Sequence, residues 1–113
     1  MKRAALTSFK PTMMATITIS SLNVRGIKQA GKRATVFEYL RTLKSDIIGL
    51  QECHLPSTTR PKDLEKEWKH GQSVWSGGGN KNAGISIVCL KNHIQITDHV
   101  IITPGRAMVA TCK

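Results

Sequence analysis

The stretch Asp46-Ile47-Ile48-Gly49-Leu50-Gln51-Glu52-Cys53-His54-Leu55 decides the reading of this chain. Its first half is a short apolar run of the kind that forms a buried strand. It ends in Gln51 and Glu52, where a core strand seldom holds an amide and a carboxylate without partners. A carboxylate at the mouth of a buried strand is well placed to hold a hard cation. Upstream, Ile17-Thr18-Ile19-Ser20-Ser21-Leu22-Asn23-Val24-Arg25-Gly26 reads as a second strand that ends in Asn23 and a glycine turn. Apolar residues lie on both of its faces, which predicts a central position in the sheet. Between the two strands, Val36, Phe37, Leu40 and Leu43 make one apolar stripe. Their spacing predicts a helix over 33–44, with Lys44 at the end that the helix dipole makes negative. Strand, helix, strand is a βαβ unit, so the two strands should be parallel. Their carboxyl ends then share one sheet edge, where open α/β sheets bind ligands. This is the physical reason to pair Asn23 with Glu52.

Working outward, Pro56 to Pro61 reads as a loop, and Lys62–His70 as a short helix anchored by Leu64 and Trp68. Residues 72–76 and 83–90 read as strands joined by the turn Gly77-Gly78-Gly79-Asn80-Lys81-Asn82, a hairpin. The glycine run lacks the lysine–hydroxyl ending and the following helix of a phosphate-binding loop. Residues 91–99 are polar and are expected to link to a β-branched run at 100–103. Pro104-Gly105 turns the chain, and a last strand is expected over Arg106–Cys112. Residues 1–15 show no periodicity and contain Pro11, so a disordered extension is expected there. Trp68 and Trp75 are expected in the core.

The chain has 113 residues, enough for one domain with a modest core. Lys and Arg number 17 against 7 Asp and Glu, a formal net charge of +10. That balance favours a polyanionic partner, a nucleic acid before a membrane surface. No run reaches the ~18 apolar residues of a membrane span. The first residues carry Lys2 and Arg3 but no secretory apolar core, so an unexported, intracellular protein is expected. The acid-free leader also fits a mitochondrial transit peptide, and Met13-Met14 would serve as a second start. Cys53, Cys89 and Cys112 are odd in number, lie in apolar runs and form no C-x-x-C pair. Reduced thiols with no disulfide partner are expected, and no zinc spacing is present.

Four segments together resemble the endonuclease/exonuclease/phosphatase superfamily. They are Leu22-Asn23-Val24-Arg25-Gly26, the 46–55 stretch, Ser76-Gly77-Gly78 with Ala83-Gly84-Ile85, and Gly105-Arg106 before an apolar strand. The wording is most similar to the apurinic-type endonuclease domain of LINE-class (non-LTR) retrotransposon polyproteins. The resemblance runs from about Thr16 to Lys113 and covers the first half of that family's domain. It implies an α+β fold, the N-terminal half of a four-layer α/β/β/α (DNase-I-like) sandwich over 16–113. It also implies a Mg²⁺- or Mn²⁺-dependent DNA phosphodiesterase site in which Asn23 and Glu52 match the family's Asn and metal-binding Glu. The family's central Asp-x-Asn, later Asp and C-terminal Asp-His have no counterpart here. Asp98-His99 matches the last pair in type only and is expected in a linker.

From the resemblance, Asn23 and Glu52 are the candidate catalytic and metal residues, and Arg25, Lys28, Lys81, Asn82 and Arg106 the candidate nucleic-acid contacts. Each has a plainer reading: a solvated strand-end carboxylate, a turn asparagine, or ordinary surface cations. Lys32 joins the basic set, and His54 is expected to be a surface histidine. Three functions stay open. One is a DNA phosphodiesterase half, inactive without its second half, with a nuclear location and DNA as partner. Another is a non-catalytic, basic nucleic-acid-binding remnant. The third is a phosphatase or sphingomyelinase of the same superfamily, which the charge disfavours.

Overall fold

The computed structural model describes residues 16–56, 58–78, 82–90 and 94–113. The expected extension over 1–15 and the candidate contact Lys81 lie outside the described residues. The elements run β1 (Ile19–Asn23), α1 (Ala30–Thr42), β2 (Ile47–Gln51), α2 (Pro61–Glu67), β3 (Ser73–Ser76), β4 (Ile85–Cys89), β5 (Ile96–Thr103) and β6 (Ala107–Cys112). The described residues form a mixed α+β arrangement: a sheet of order β1-β2-β4-β3, a second sheet of β5 and β6, and two helices.

The βαβ reading holds. β1 and β2 are parallel, in a register that sets Asn23 opposite Gln51. β3 and β4 form the expected antiparallel hairpin, with Trp75 opposite Ser86. The position of β1 is a correction, because it stands at the sheet edge and not in the centre. Its two apolar faces do different things. Leu22 packs on the core, whereas Ile19 is 70% exposed on the open face. Asp46 moors this edge strand: its backbone N–H donates to Thr18 O, and its carboxylate accepts from Thr18 N, both at 2.8 Å.

Helix α1 begins at Ala30, earlier than its apolar stripe suggests, and Phe37 and Leu40 are its buried residues. Lys44 is not in the helix. It follows the C-cap Leu43 in a left-handed conformation with φ +59°, the position where a helix usually stops. Helix α2 ends at Glu67, shorter than expected, but Leu64 and Trp68 are buried as its anchors. The Trp68 indole donates to Cys89 O at 2.8 Å. Its ring meets Phe37 edge-on at 5.2 Å, and Phe37 also lies against Trp75. These aromatics join Ile48, Leu50, Val88 and Leu55 in one core between the helices and one face of the four-stranded sheet.

β5 starts at Ile96, so Asp98 and His99 sit inside a strand and not in a linker. Pairing with β6 extends the strand across polar residues, and their side chains face solvent at no desolvation cost. Val100, Ile101, Ile102 and Val109 of this hairpin are also exposed. No helix among the described residues is long and apolar enough to cross a membrane.

Removing the central anchor tests this core. Trp68→Ala is expected to lower unfolding stability by about 3–5 kcal/mol, and Tyr39→Ala on the exposed side of α1 by no more than about 0.5 kcal/mol. Urea melts of the two variants provide the comparison.

Candidate functional site

Burial alternates along β2, with Ile48 and Leu50 inside and Gly49 and Gln51 on the other face. Continued alternation would turn residue 52 into the core. Instead Glu52 is exposed, and Cys53 and Leu55 are buried. The phase slips by one residue because Glu52 adopts φ +53°, and His54 follows at φ +57°. Left-handed conformation costs a residue with a side chain about 1–2 kcal/mol. Of the described non-glycine residues with positive φ, Arg25, Glu52 and His54 cluster here and only Lys44 lies elsewhere. Strain of this kind persists only where the surroundings over-determine it.

The surroundings do so through backbone hydrogen bonds. Val24, Gly26 and Ile27 donate to the carbonyls of Gln51, Glu52 and Cys53 at 3.0, 2.7 and 2.9 Å. From the other side, Cys53 and Leu55 donate to Gly84 O and Ala83 O at 2.9 and 3.1 Å. Segment 52–55 is thus held between the loop after β1 and the entrance to β4. Two glycines permit the fit. A Cβ on Gly26, whose φ is +91°, would come within 2.6 Å of His54 Nδ1. One on Gly84, at φ +135°, would lie 3.1 Å from Leu55 N.

The slip brings the predicted pair together. Asn23 Nδ2 donates to Glu52 Oε2 at 2.5 Å, while Asn23 Oδ1 accepts from Arg25 N at 3.1 Å. The amide therefore turns its nitrogen to the carboxylate and its oxygen away, so Asn23 orients Glu52 and offers it no shared oxygen ligand. Glu52 Oε1 stands 3.9 Å from His54 Nε2, close enough to pair when the imidazole carries a proton. His54 is half-buried, packed on Gly26 and set beside Glu52 at the surface. Its sequence position gave no signal, since the left-handed backbone alone turns it inward.

The basic residues divide. Lys28 and Asn82 line one hollow of about 500 Å³ with Gly26, Gln29, Lys32 and His54. Lys32 also donates to Arg25 O at 2.9 Å, and Arg25 is exposed beside Asn23. Arg106 is not in that group. It lines a separate groove on the open sheet face with Gly49, Gln51, Ile85 and Ile102. Arg33, which the pattern of α1 marks only as off the apolar stripe, holds the basic loop in place. Its guanidinium donates to Ile27 O and Lys28 O at 3.0 and 2.9 Å, and to both carboxylate oxygens of Glu67. Asp98 and His99 face a cleft with Gly71 and Gln72. Gln72 bonds Cys89, which pairs with Ile47 at the start of β2. The pair is therefore at the opposite end of the sheet from Glu52.

Glu52 fits a hard cation as a single ligand. It is an exposed carboxylate with one oxygen bonded by an amide and the other without a hydrogen bond among the described contacts. Mg²⁺ commonly takes one or two carboxylates and completes its shell with water and phosphate. No group of three or more His, Cys, Asp or Glu among the described residues could hold a metal alone. Between Glu52 and His54, Cys53 is fully buried, and burial pushes its thiol up to about 12. It is neither a nucleophile nor a metal ligand at neutral pH. Comparison with protein-family models and with curated proteins finds no match to this chain.

Two outcomes follow. Arg33→Ala is expected to cost about 1–3 kcal/mol, because it leaves Ile27 O and Glu67 without charge-assisted donors; urea melts read the loss. For Cys53 the folded state keeps a proton that the unfolded thiol releases at its ordinary value near 9.0. Its contribution to stability is complete below that value and declines as pH rises towards about 12. Urea melts between pH 8 and 11 should show the decline, shallower in Cys53→Ala, and native Cys53 should resist iodoacetamide.

Proposed function

We propose that this chain carries the first half of a metal-dependent DNA phosphodiesterase domain of the endonuclease/exonuclease/phosphatase kind, similar to LINE-class endonucleases. The fold it would complete is the DNase-I-like sandwich. One observation carries the reading: the 2.5 Å contact between Asn23 and Glu52 at the ends of adjacent parallel strands. An asparagine and a glutamate meeting at the carboxyl edge of a βαβ unit is what the resemblance implies. The left-handed backbone at Arg25, Glu52 and His54 clusters around them, and strain of this kind persists only where its surroundings over-determine it.

In this reading Glu52 is the one metal ligand the described residues supply. Mg²⁺ or Mn²⁺ bound there would polarise the scissile phosphate and stabilise the leaving oxygen. Asn23 fixes the carboxylate orientation. Arg25, Lys28 and Lys32 neutralise phosphates beside it, with Asn82 in the same hollow. Arg106 would meet nucleic acid over the open face, apart from the other cations. Asp98 and His99, a pair of the type that would activate the attacking water, are at the other end of the sheet from Glu52. The chain by itself therefore binds DNA and does not cut it. That leaves the non-catalytic nucleic-acid-binding reading as the alternative, and the +10 charge favours it equally. A nuclear location is part of the same proposal.

The test is nicking of supercoiled plasmid in Mg²⁺, with EDTA and Glu52→Ala beside the native chain. No nicking is expected from any sample. Plasmid binding should weaken steeply with salt, and Arg25→Ala or Lys28→Ala should each lower the salt slope by about 1. Metal-dependent nicking that Glu52→Ala abolishes would show a complete site in this chain. Absence of binding at low salt would remove nucleic acid as the partner. Tighter binding with Mg²⁺ that disappears in Glu52→Ala would favour the phosphodiesterase half over the plain basic remnant.

A further inference from the structure

The β5–β6 hairpin is tied to the four-stranded sheet at two ends. At its turn, Gly105 N donates to Ser76 Oγ and Gly105 O accepts from Gly84 N, both at 2.9 Å. At the far end, among the described residues, Gln72 makes the link. Its carbonyl accepts from Cys89 N at 2.8 Å, and its side-chain oxygen accepts from Ile96 N at 2.5 Å. Ile96 is the register partner of Cys112. Gln72 thereby sets the last residue of β4 beside the last residue of β6, and brings Cys89 and Cys112 to the same end of the two sheets. Cys53 is outside this arrangement. Cys89 pairs with Ile47, and Cys53 lies past the other end of β2, roughly 20 Å along the strand direction at about 3.3 Å per residue. That is far beyond the ~7 Å Cα separation a disulfide tolerates.

We propose that Cys89 and Cys112 form an oxidant-responsive thiol pair whose disulfide fastens the β5–β6 hairpin to the main sheet. The two sulfurs have different parts. Cys112 is partly exposed, whereas Cys89 is buried. Burial, and then the neighbouring Cys112, pushes the Cys89 thiol up to about 11. A peroxide therefore reacts first at Cys112, forming a sulfenic acid and releasing one water. Cys89 sulfur then attacks that sulfur, and its proton leaves with the hydroxyl as a second water. Two thiols and one peroxide give one disulfide and two waters, and a dithiol reductant reverses the bond. The link closes the chain between β4 and β6 and adds a covalent bond to the Gln72 bridge.

The experiment treats the native chain with hydrogen peroxide, alkylates the remaining thiols in denaturant and digests with trypsin. Peptide 82–91 should be joined to peptide 107–113, two hydrogens lighter than the sum, with Cys53 in peptide 45–62 still alkylated. The thermal midpoint should rise by about 10 °C. Dithiothreitol should return it, and Cys112→Ser should show neither the link nor the rise. Cys112 sits at a partly exposed position, so that variant keeps the core intact. Cys112 carried on to sulfinic acid, or dimers joined through Cys112 with Cys89 still alkylated, would overturn the proposal. So would a Cys89–Cys112 link that leaves the midpoint unchanged.

Discussion

The backbone clamp on residues 52–55 is the constraint on which the rest of the described structure depends. The loop after β1 holds it on one side and the entrance to β4 on the other. Without the clamp, Glu52 would continue the alternation of β2 and face the core, where an unpaired carboxylate is costly. With it, the carboxylate reaches Asn23, and Cys53 and Leu55 enter the core in its place. The same bonds fix the path of the Gly26–Gln29 loop, which brings Lys28 to the hollow beside His54. Local strain at Arg25, Glu52 and His54 is offset by these hydrogen bonds and by two buried apolar side chains. Core and site are consequently one construction.

The open face of the main sheet is the second constraint. Helices α1 and α2 cover the other face, and the aromatic cluster of Phe37, Trp68 and Trp75 fills the space between. On the open side Gln51 Nε2 donates to Ser21 Oγ at 2.7 Å, and Ile19 stands exposed at the edge. The β5–β6 hairpin leans on part of this face and leaves a groove lined by Gly49, Ile85, Ile87 and Ile102. Its own Val100 and Val109 are also exposed. Apolar side chains on a sheet face together with an unpaired edge strand make a surface prone to pairing.

How much of this was legible in the sequence follows from the range of each interaction. The parallel pair, the helix between them and the tryptophan anchors come from period and topology rules that act over a few residues, and they hold. The Asn23–Glu52 contact was legible because parallel strands must end at one edge. The edge position of β1 was not, because Leu22 and Ile19 look alike in a string although one is covered and the other is not. The phase slip at Glu52 was invisible for a similar reason. Glu52 is in step with Ile48 and Leu50, and only distant carbonyls and amides force it out. His54, the Arg33 clasp and the Gln72 bridge share that origin. Each depends on residues brought together by the finished fold. Pairing with β6 drew Asp98 and His99 into a strand that composition alone assigned to a linker.

The Asn23–Glu52 pair sets a negative charge on a surface that is otherwise basic. Glu52 is a negative group beside His54, at an edge that also carries Arg25, Lys28 and Lys32. Facing a phosphate directly, the carboxylate would repel it, and an amide donor does not remove that charge. A divalent cation between them reverses the sign of the interaction. The amide from Asn23 takes one carboxylate oxygen and holds the group still, while the other oxygen has no hydrogen bond among the described contacts. A plain nucleic-acid-binding surface gains nothing from a carboxylate held in this way. The strained, amide-oriented Glu52 is thus a feature that positive charge alone does not account for.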